Sequence, residues 1–151
     1  MNILIDTNIV GRLMQVGHSQ HQEAVEAIDA LIASGDSPCV VPQVLYEFWV
    51  VVTRPVASNG LGFTAAQAAT ELSWIQLLFP LLPDSPAVFP EWERLVTTHS
   101  VIGKPAHDAR LVAAMSVHRL THLLTFNVRD FTRFTGITVM NPLSLISPGT
   151  P

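Results

Sequence analysis

Four acidic residues stand where the sequence predicts apolar or buried surroundings. Asp6 directly follows the apolar run Ile3–Ile5, at the carboxyl end of a predicted strand. Glu47 and Asp108 each share a helical face with apolar residues, and Asp130 falls in a turn just after another predicted strand. An isolated carboxylate in apolar surroundings is costly, so such charges are normally paired or bound to metal.

Cations that could pair these acids are scarce, because the chain has eight lysine and arginine residues against twelve acids. Each acid has an ordinary alternative role. Asp6 could cap a turn, Asp108 could be a helix N-terminal acid favoured by the dipole, and Glu47 could pair with Arg12 or Arg54. Taken together, the four acids favour one cluster of hard oxygen ligands. With one cysteine and no convincing histidine pair, such a cluster selects Mg²⁺ or Mn²⁺ over zinc, and its chemistry is that of phosphodiester hydrolysis.

Hydrophobic periodicity predicts the elements that position these acids. Strands are predicted at 2–5, 39–41, 121–125 and 137–140, with a short or edge strand at 78–82 that Pro80 interrupts. Helices are predicted at 20–33, 43–53, 64–77, 85–98 and 105–119. Strands alternating with helices indicate an α/β sandwich with a mostly parallel sheet. Ligands bind such sheets beyond the carboxyl ends of the strands, where Asp6 and Asp130 are expected.

Composition limits the class of protein. The length of 151 residues suits a single domain, which we place at 1–146 with a frayed tail at 147–151. The lone Cys39 excludes an internal disulfide and fits a reducing cytosol. Because Met1 to Ile5 runs straight into Asp6, no signal peptide is expected, and no apolar stretch is long enough to span a membrane, so a cytoplasmic protein is predicted. The net charge of −4 argues against a broad basic face for nucleic acid.

Four blocks of the sequence, in order, resemble the PIN-domain ribonucleases. They are Ile3-Leu-Ile-Asp-Thr-Asn8, Glu47 in a helix after Val-Val-Pro42, His107-Asp-Ala109, and Leu124-Thr-Phe-Asn-Val-Arg-Asp-Phe131. The nearest resemblance is to the VapC toxins of toxin-antitoxin modules, and it spans nearly the whole chain. It implies a PIN-like three-layer sandwich with a five-stranded sheet, a Mg²⁺ or Mn²⁺ site, endoribonuclease activity on RNA, a homodimer and inhibition by a cognate antitoxin.

The resemblance also implies roles for individual acids. Asp6, Glu47 and Asp108 match the first three acids of the family and are the implied metal ligands. Family members place an acid or Asn in the turn after the fourth strand, where this chain has both Asn127 and Asp130. We take Asp130 as an outer ligand and Asn127 as its helper.

Neighbouring polar residues are implied to support the site. Thr7 and Thr125 stand where family hydroxyls steady the site or its water, although a turn hydroxyl bonded to backbone is an equal alternative for Thr7. Asn8 is expected to hold the strand-to-helix turn. His107 could contact a phosphate, but a helix cap is the preferred interpretation.

Basic and aromatic residues near these blocks are weaker candidates. The cations that flank the acidic blocks could hold RNA phosphates, or could simply be exposed charges near helix ends; they are Lys104, Arg110 and Arg129. The three tryptophans lie on apolar helical stripes and are interpreted as packing residues in preference to platforms for base stacking; they are Trp49, Trp74 and Trp92. The apolar helices around Trp49 and Trp74 are also predicted to offer a groove to a small protein partner.

Two other functions were compatible with parts of the pattern. An aspartyl-nucleophile phosphatase or phosphotransferase would use Asp6 after the first strand. Such enzymes usually carry a second Asp two residues on, where this chain has Asn8, and receiver domains need a late Lys, which is absent beyond Lys104. A catalytically silent PIN-like binding module would lack one of the key acids, yet all are present.

Overall fold

The parallel sheet is seen in a computed structural model that describes residues 1–146. Its strands are β1 (Asn2–Ile5), β2 (Ser37–Cys39), β3 (His122–Leu124) and β4 (Thr138–Met140). Their order is β2-β1-β3-β4, and every neighbouring pair is parallel. Because β1 and β3 are parallel neighbours, the segments that follow these two strands begin side by side at the carboxyl edge of the sheet. The predicted tail at 147–151 lies outside the described residues.

Helices fill the connections between the strands. They are α1 (Thr7–Leu13), α2 (His21–Ala33), α3 (Pro42–Thr53), α4 (Ala65–Leu78), α5 (Val88–Thr98) and α6 (Ala106–Val117). Proline in the first turn starts α3, and Thr64 and Gln67 form a reciprocal capping box at the start of α4. The five predicted helices are present within about three residues, whereas α1 was not predicted. Within residues 1–146, no helix is long and apolar enough to cross a bilayer.

One cluster of buried apolar side chains joins the sheet to all six of these helices. Strands β1 and β3 supply its centre, with Ile3, Leu4 and Leu124 fully buried. The predicted α/β class with a parallel sheet flanked by helices is confirmed. Trp74 is 57% exposed, so the interpretation of that tryptophan as a packing residue was wrong. The assignment of 1–146 to a single domain stays a prediction.

The predicted strand at 78–82 is reduced to one isolated parallel bridge between Val40 and Leu81. Val40 donates to the carbonyl of Pro80 at 3.0 Å and accepts from Leu82 at 2.8 Å. A proline has no N–H to contribute to a ladder, and α4 already occupies the chain up to Leu78. Residues 1–146 therefore form four strands instead of the expected five.

Candidate active site

Asp6 is fixed at the junction of β1 and α1. Its side chain is 8% exposed and caps α1, with Oδ1 accepting from the Thr7 amide at 2.7 Å. Oδ2 accepts from Asn8 Nδ2 and from Thr125 Oγ1, each at 2.7 Å. The capping role considered for Asp6 is therefore real, but it engages only one oxygen. The other oxygen is held by Asn8 in the first turn of α1 and by Thr125, which directly follows β3.

Asn8 and Thr125 tie the ends of the two central strands together. Besides its bond to Asp6, Asn8 Nδ2 lies 3.0 Å from Thr125 Oγ1, and Asn8 Oδ1 accepts from the Phe126 amide at 3.1 Å. The fully buried Thr125 hydroxyl also accepts from the Asn127 amide at 3.0 Å. These bonds connect the loop after β3 to the start of α1, so they fix the backbone on both sides of Asp6.

Glu47, on α3, is oriented by neutral donors. Its Oε2 accepts from Thr7 Oγ1 at 2.8 Å, and its Oε1 accepts from Gln43 Nε2 at 2.8 Å. The Thr7 hydroxyl thus bonds a carboxylate and not the backbone. The pairing of Glu47 with Arg12 or Arg54 was wrong, since Arg12 bonds two glutamine side chains and Arg54 a backbone carbonyl.

Gln43 is a polar residue of this region that sequence reasoning missed. Its side chain is 6% exposed, and Nε2 donates both to Glu47 and to the carbonyl of His107 at 2.7 Å. Its Oε1 accepts from Arg110 Nη1 at 3.1 Å. The signal in the sequence was a glutamine one helical turn before Glu47, at the start of an otherwise apolar helix. The amide joins α3 to the first turn of α6, where Asp108 lies.

Asp108 is half-buried, and its environment disfavours the charged form. Burial, followed by the negative charges of Asp130, Asp6 and Glu47, raises its pKa to about 6, while His107 opposes the shift. Burial also raises the pKa of Asp6, against the hydrogen bonds from Thr125 and Thr7. The contributions of Asp130, Asp6 and Glu47 indicate that these three carboxylates lie near Asp108.

The remaining predicted residues are mostly exposed. Asp130 is exposed in the 3₁₀ turn Val128–Phe131, and Asn127 precedes that turn with an exposed side chain. Lys104 and Arg129 are exposed, whereas Arg110 is bonded to Gln43 and to Asp84. The helix-cap interpretation of His107 was wrong, because α6 begins without a side-chain cap and His107 is exposed.

The cluster suits a divalent cation by its chemistry. Within residues 1–146 the ion pairs are Met1–Asp36, Glu91–Arg94 and Asp84–Arg110, so none of the four acids is neutralised by a partner. Carboxylate oxygens are the ligands that Mg²⁺ and Mn²⁺ prefer. In the described part of the chain, however, no three acidic, histidine or cysteine side chains form a ready-made metal site. A bound ion would therefore require some of these side chains to adjust.

Comparison with known families identifies the class of protein. The model of the PIN domain matches residues 3–137, and the chain belongs to the PIN domain family. PIN domains are generally nucleases, and the family typically uses divalent metal ions. No curated protein sequence matches this chain.

Solved structures with a similar fold come from toxin-antitoxin complexes. A chain of VapBC2 from Rickettsia felis, bound to a promoter DNA fragment, has a TM-score of 0.70 at 18% identity, covering 93% of this chain and 98% of that one. FitAcB from Neisseria gonorrhoeae has a TM-score of 0.65 at 22% identity, and the match covers 95% of this chain and 99% of that one. A chain of a toxin-antitoxin complex from Klebsiella pneumoniae has a TM-score of 0.60 at 24% identity, and the match covers 93% of this chain and 97% of that one. At these identities the likeness is one of fold.

Proposed function

We propose that this protein is a metal-dependent endoribonuclease, the toxin of a VapBC-type toxin-antitoxin module, which hydrolyses RNA phosphodiester bonds with Mg²⁺ or Mn²⁺. The observation that carries the proposal is the cluster of Asp6, Glu47, Asp108 and Asp130. Burial and the negative charges of Asp130, Asp6 and Glu47 raise the pKa of Asp108, and none of the four carboxylates has an ion-pair partner in residues 1–146. Such an arrangement would be costly in a purely structural role. Membership of a family of nucleases supports the same reaction class.

Asp6, Glu47 and Asp108 would hold the metal, with Asp130 as an outer ligand. A bound divalent ion supplies Lewis acidity, which neutralises charge on the scissile phosphate and lowers the pKa of attacking water. The chain's own part is preorganisation: Thr7, Asn8 and Thr125 fix Asp6 and Glu47 by hydrogen bonds of 2.7 to 2.8 Å.

Substrate contacts would come from the edge of the cluster. The exposed side chains of Lys104 and Arg129 are available to RNA phosphates, and Asn127 would assist Asp130 in the turn after β3. Arg110 already bonds Gln43 and Asp84, so it would contact RNA with its remaining N–H groups. With a net charge of −4, affinity for RNA would depend on these few cations and on the metal.

The geometry disfavours the aspartyl-nucleophile alternative. A nucleophilic carboxylate needs a free oxygen with access to its substrate. Both oxygens of Asp6 accept hydrogen bonds from the protein, and the residue is 8% exposed. The silent binding module is disfavoured by the presence of all the acids.

An antitoxin is the partner that we propose for the apolar groove between α3 and α4. The groove has a volume of about 450 Å³, and Tyr46, Trp49 and Leu72 line it. Tyr46 and Trp49 lie three residues apart on α3, so they present one aromatic face to the groove. Helix α4 also exposes Trp74 and Leu77, which do not line the groove. By analogy with the family, we also propose that the protein forms a homodimer and acts in the cytoplasm.

A cleavage assay with matched variants tests the enzymatic proposal. The purified protein should cut single-stranded RNA with Mg²⁺ or Mn²⁺ and stop when EDTA is added. Glu47→Gln should lower the rate by at least about 100-fold, whereas Glu26→Gln on the exposed side of α2 should cut like the original protein. Full cleavage in EDTA, or wild-type activity of Glu47→Gln, would refute the mechanism.

The partner is tested separately, by copurification from the native host. A small protein should be retained by the original chain and by Ile32→Ser, but lost from Tyr46→Ser. Ile32 and Tyr46 are similarly exposed, at 57% and 62%, but Ile32 lies on α2, away from the groove. Equal retention by both variants would place the partner elsewhere.

A further inference from the structure

A second concave surface adjoins the first turn of α6. It has a volume of about 480 Å³ and lies between the segment that leads into α5 and the start of α6. We call it the aromatic pocket and define it by five of its lining residues: Pro86, Phe89, Trp92, His107 and Arg110. No role for this pocket follows from the acid cluster alone.

Two rings give the pocket its character. Phe89 lines the pocket and is 64% exposed, so its ring is accessible to a ligand. Trp92, which the sequence indicated as a packing residue, is only half-buried, and its Nε1 donates to the carbonyl of Ala106 at 2.8 Å. The ring centroids are 5.8 Å apart with the planes inclined by 32°. The hydrogen bond fixes the indole, so the pocket offers an aromatic surface that is already oriented.

Polar groups connect the pocket to the acid cluster. Arg110 donates to Asp84 Oδ2 and to Gln43 Oε1, each at 3.1 Å, and Gln43 in turn bonds Glu47. Asp84 is thereby neutralised. A guanidinium has five N–H donors, and within residues 1–146 Arg110 uses two of them, so donors remain for a phosphate. His107, on the pocket wall, directly precedes Asp108.

We propose that the aromatic pocket binds an unpaired RNA base beside the phosphate that is cut. This inference rests on the proposed nuclease function and adds the site at which one base of the RNA substrate binds. An unpaired base presents a flat face that stacks on aromatic side chains, whereas bases in a duplex are already stacked on their neighbours. Stacking contributes affinity without a large basic surface, which the net charge of −4 makes necessary.

The test is a titration of the full chain, in EDTA at low salt, with a short single-stranded RNA that carries 2-aminopurine. Stacking should quench its fluorescence. Phe89→Ala should weaken binding by about 5- to 150-fold and remove the quenching, while Phe89→Tyr, which keeps the ring, should restore both. Ile32→Ala is the matched control, because Ile32 is an exposed apolar residue of α2 that does not line the pocket. A duplex of the same sequence should not quench.

Cleavage kinetics distinguish a failure of this inference from a failure of the nuclease. If the original protein cuts RNA but Phe89→Ala has an unchanged KM and unchanged affinity, the pocket does not bind a base and the nuclease proposal stands. If quenching depends on Phe89 but no RNA is cut, the pocket binds a base and the nuclease proposal fails. Quenching by duplex RNA as strong as by the single strand would also overturn the stacking inference.

Discussion

Gln43 Nε2 lies 2.7 Å from the carbonyl oxygen of His107 and donates a hydrogen bond to it, which joins α3 to the first turn of α6. The same buried amide donates to Glu47 and accepts from Arg110. Gln43→Ala would leave several of these groups without partners. We expect it to lower the free energy of unfolding by about 1 to 3 kcal/mol, measured by urea denaturation, and to reduce RNA cleavage because Glu47 loses an orienting donor.

The chain contains a matched control for this variant. Gln22 donates to Glu26 at 2.9 Å with the same four-residue spacing, but on the exposed face of α2. Gln22→Ala should change stability by less than about 0.5 kcal/mol. Equal effects of the two variants would mean that the Gln43 bond to α6 contributes nothing.

Asp108→Asn should abolish cleavage and make the metal-free protein more stable at pH 7. The amide keeps the shape of the carboxylate but removes its repulsion with Asp130, Asp6 and Glu47. We expect a gain on the order of 1 kcal/mol, because solvent screens a half-exposed group. Thermal melts in EDTA measure this gain in stability. Asp29→Asn, on the exposed face of α2, is the control. Clear destabilisation by Asp108→Asn would make Asp108 a structural residue.

Added Mg²⁺ should stabilise the original protein more than the variant.

The pH dependence of stability should reveal the same group. Asp108 has a pKa of about 6 in the folded protein against 3.8 for an ordinary Asp. Between these values the folded state binds more protons, so Asp108 lowers the free energy of unfolding as the pH rises from about 4 to about 6, and the effect is flat above that range. Urea titrations in EDTA at several pH values give the free energy of unfolding of the original protein and of Asp108→Asn. The difference between the two should show this slope. A difference independent of pH would contradict the raised pKa.

Thr125→Val should destabilise the protein although it keeps the side-chain shape. The buried hydroxyl donates to Asp6 Oδ2 at 2.7 Å and accepts from the Asn127 amide. Because this bond opposes the rise of the Asp6 pKa, its loss would raise that pKa further. We expect a loss of about 1 to 3 kcal/mol at neutral pH. Thr125→Ser should recover most of it, and a neutral Thr125→Val would show that the hydroxyl is dispensable.

Much of the fold could be predicted because its signals are local. The apolar run before Asp6 indicates β1, Pro42 marks the start of α3, and Thr64 with Gln67 marks the start of α4. Helix α1 was missed because it is short, contains Gly11, and begins directly at the end of a strand. The fifth strand was overpredicted because apolar character at 78–82 outweighed the missing donor of Pro80.

The acids of the candidate site could be singled out because each carboxylate conflicts with an apolar pattern in its own segment. Gln43 could not, since an uncharged residue in the first turn of a helix is unremarkable until its partners are known. Two of those partners, His107 and Arg110, lie more than 60 positions away in the chain. The exposure of Phe89 and Trp74 was equally invisible, because an apolar residue on a helical stripe predicts burial only where another element covers it.

The hydrogen bond between Thr125 and Asp6 joins residues 119 positions apart, so it cannot form until both have been synthesised. Asp6 leaves the ribosome long before β3 (His122–Leu124) has been made. Until then β1 has β2 as its one partner, and the loop that steadies Asp6 does not exist. A nascent or prematurely terminated chain that stops before β3 therefore has no assembled acidic centre, and the candidate activity is confined to polypeptides that extend beyond Thr125.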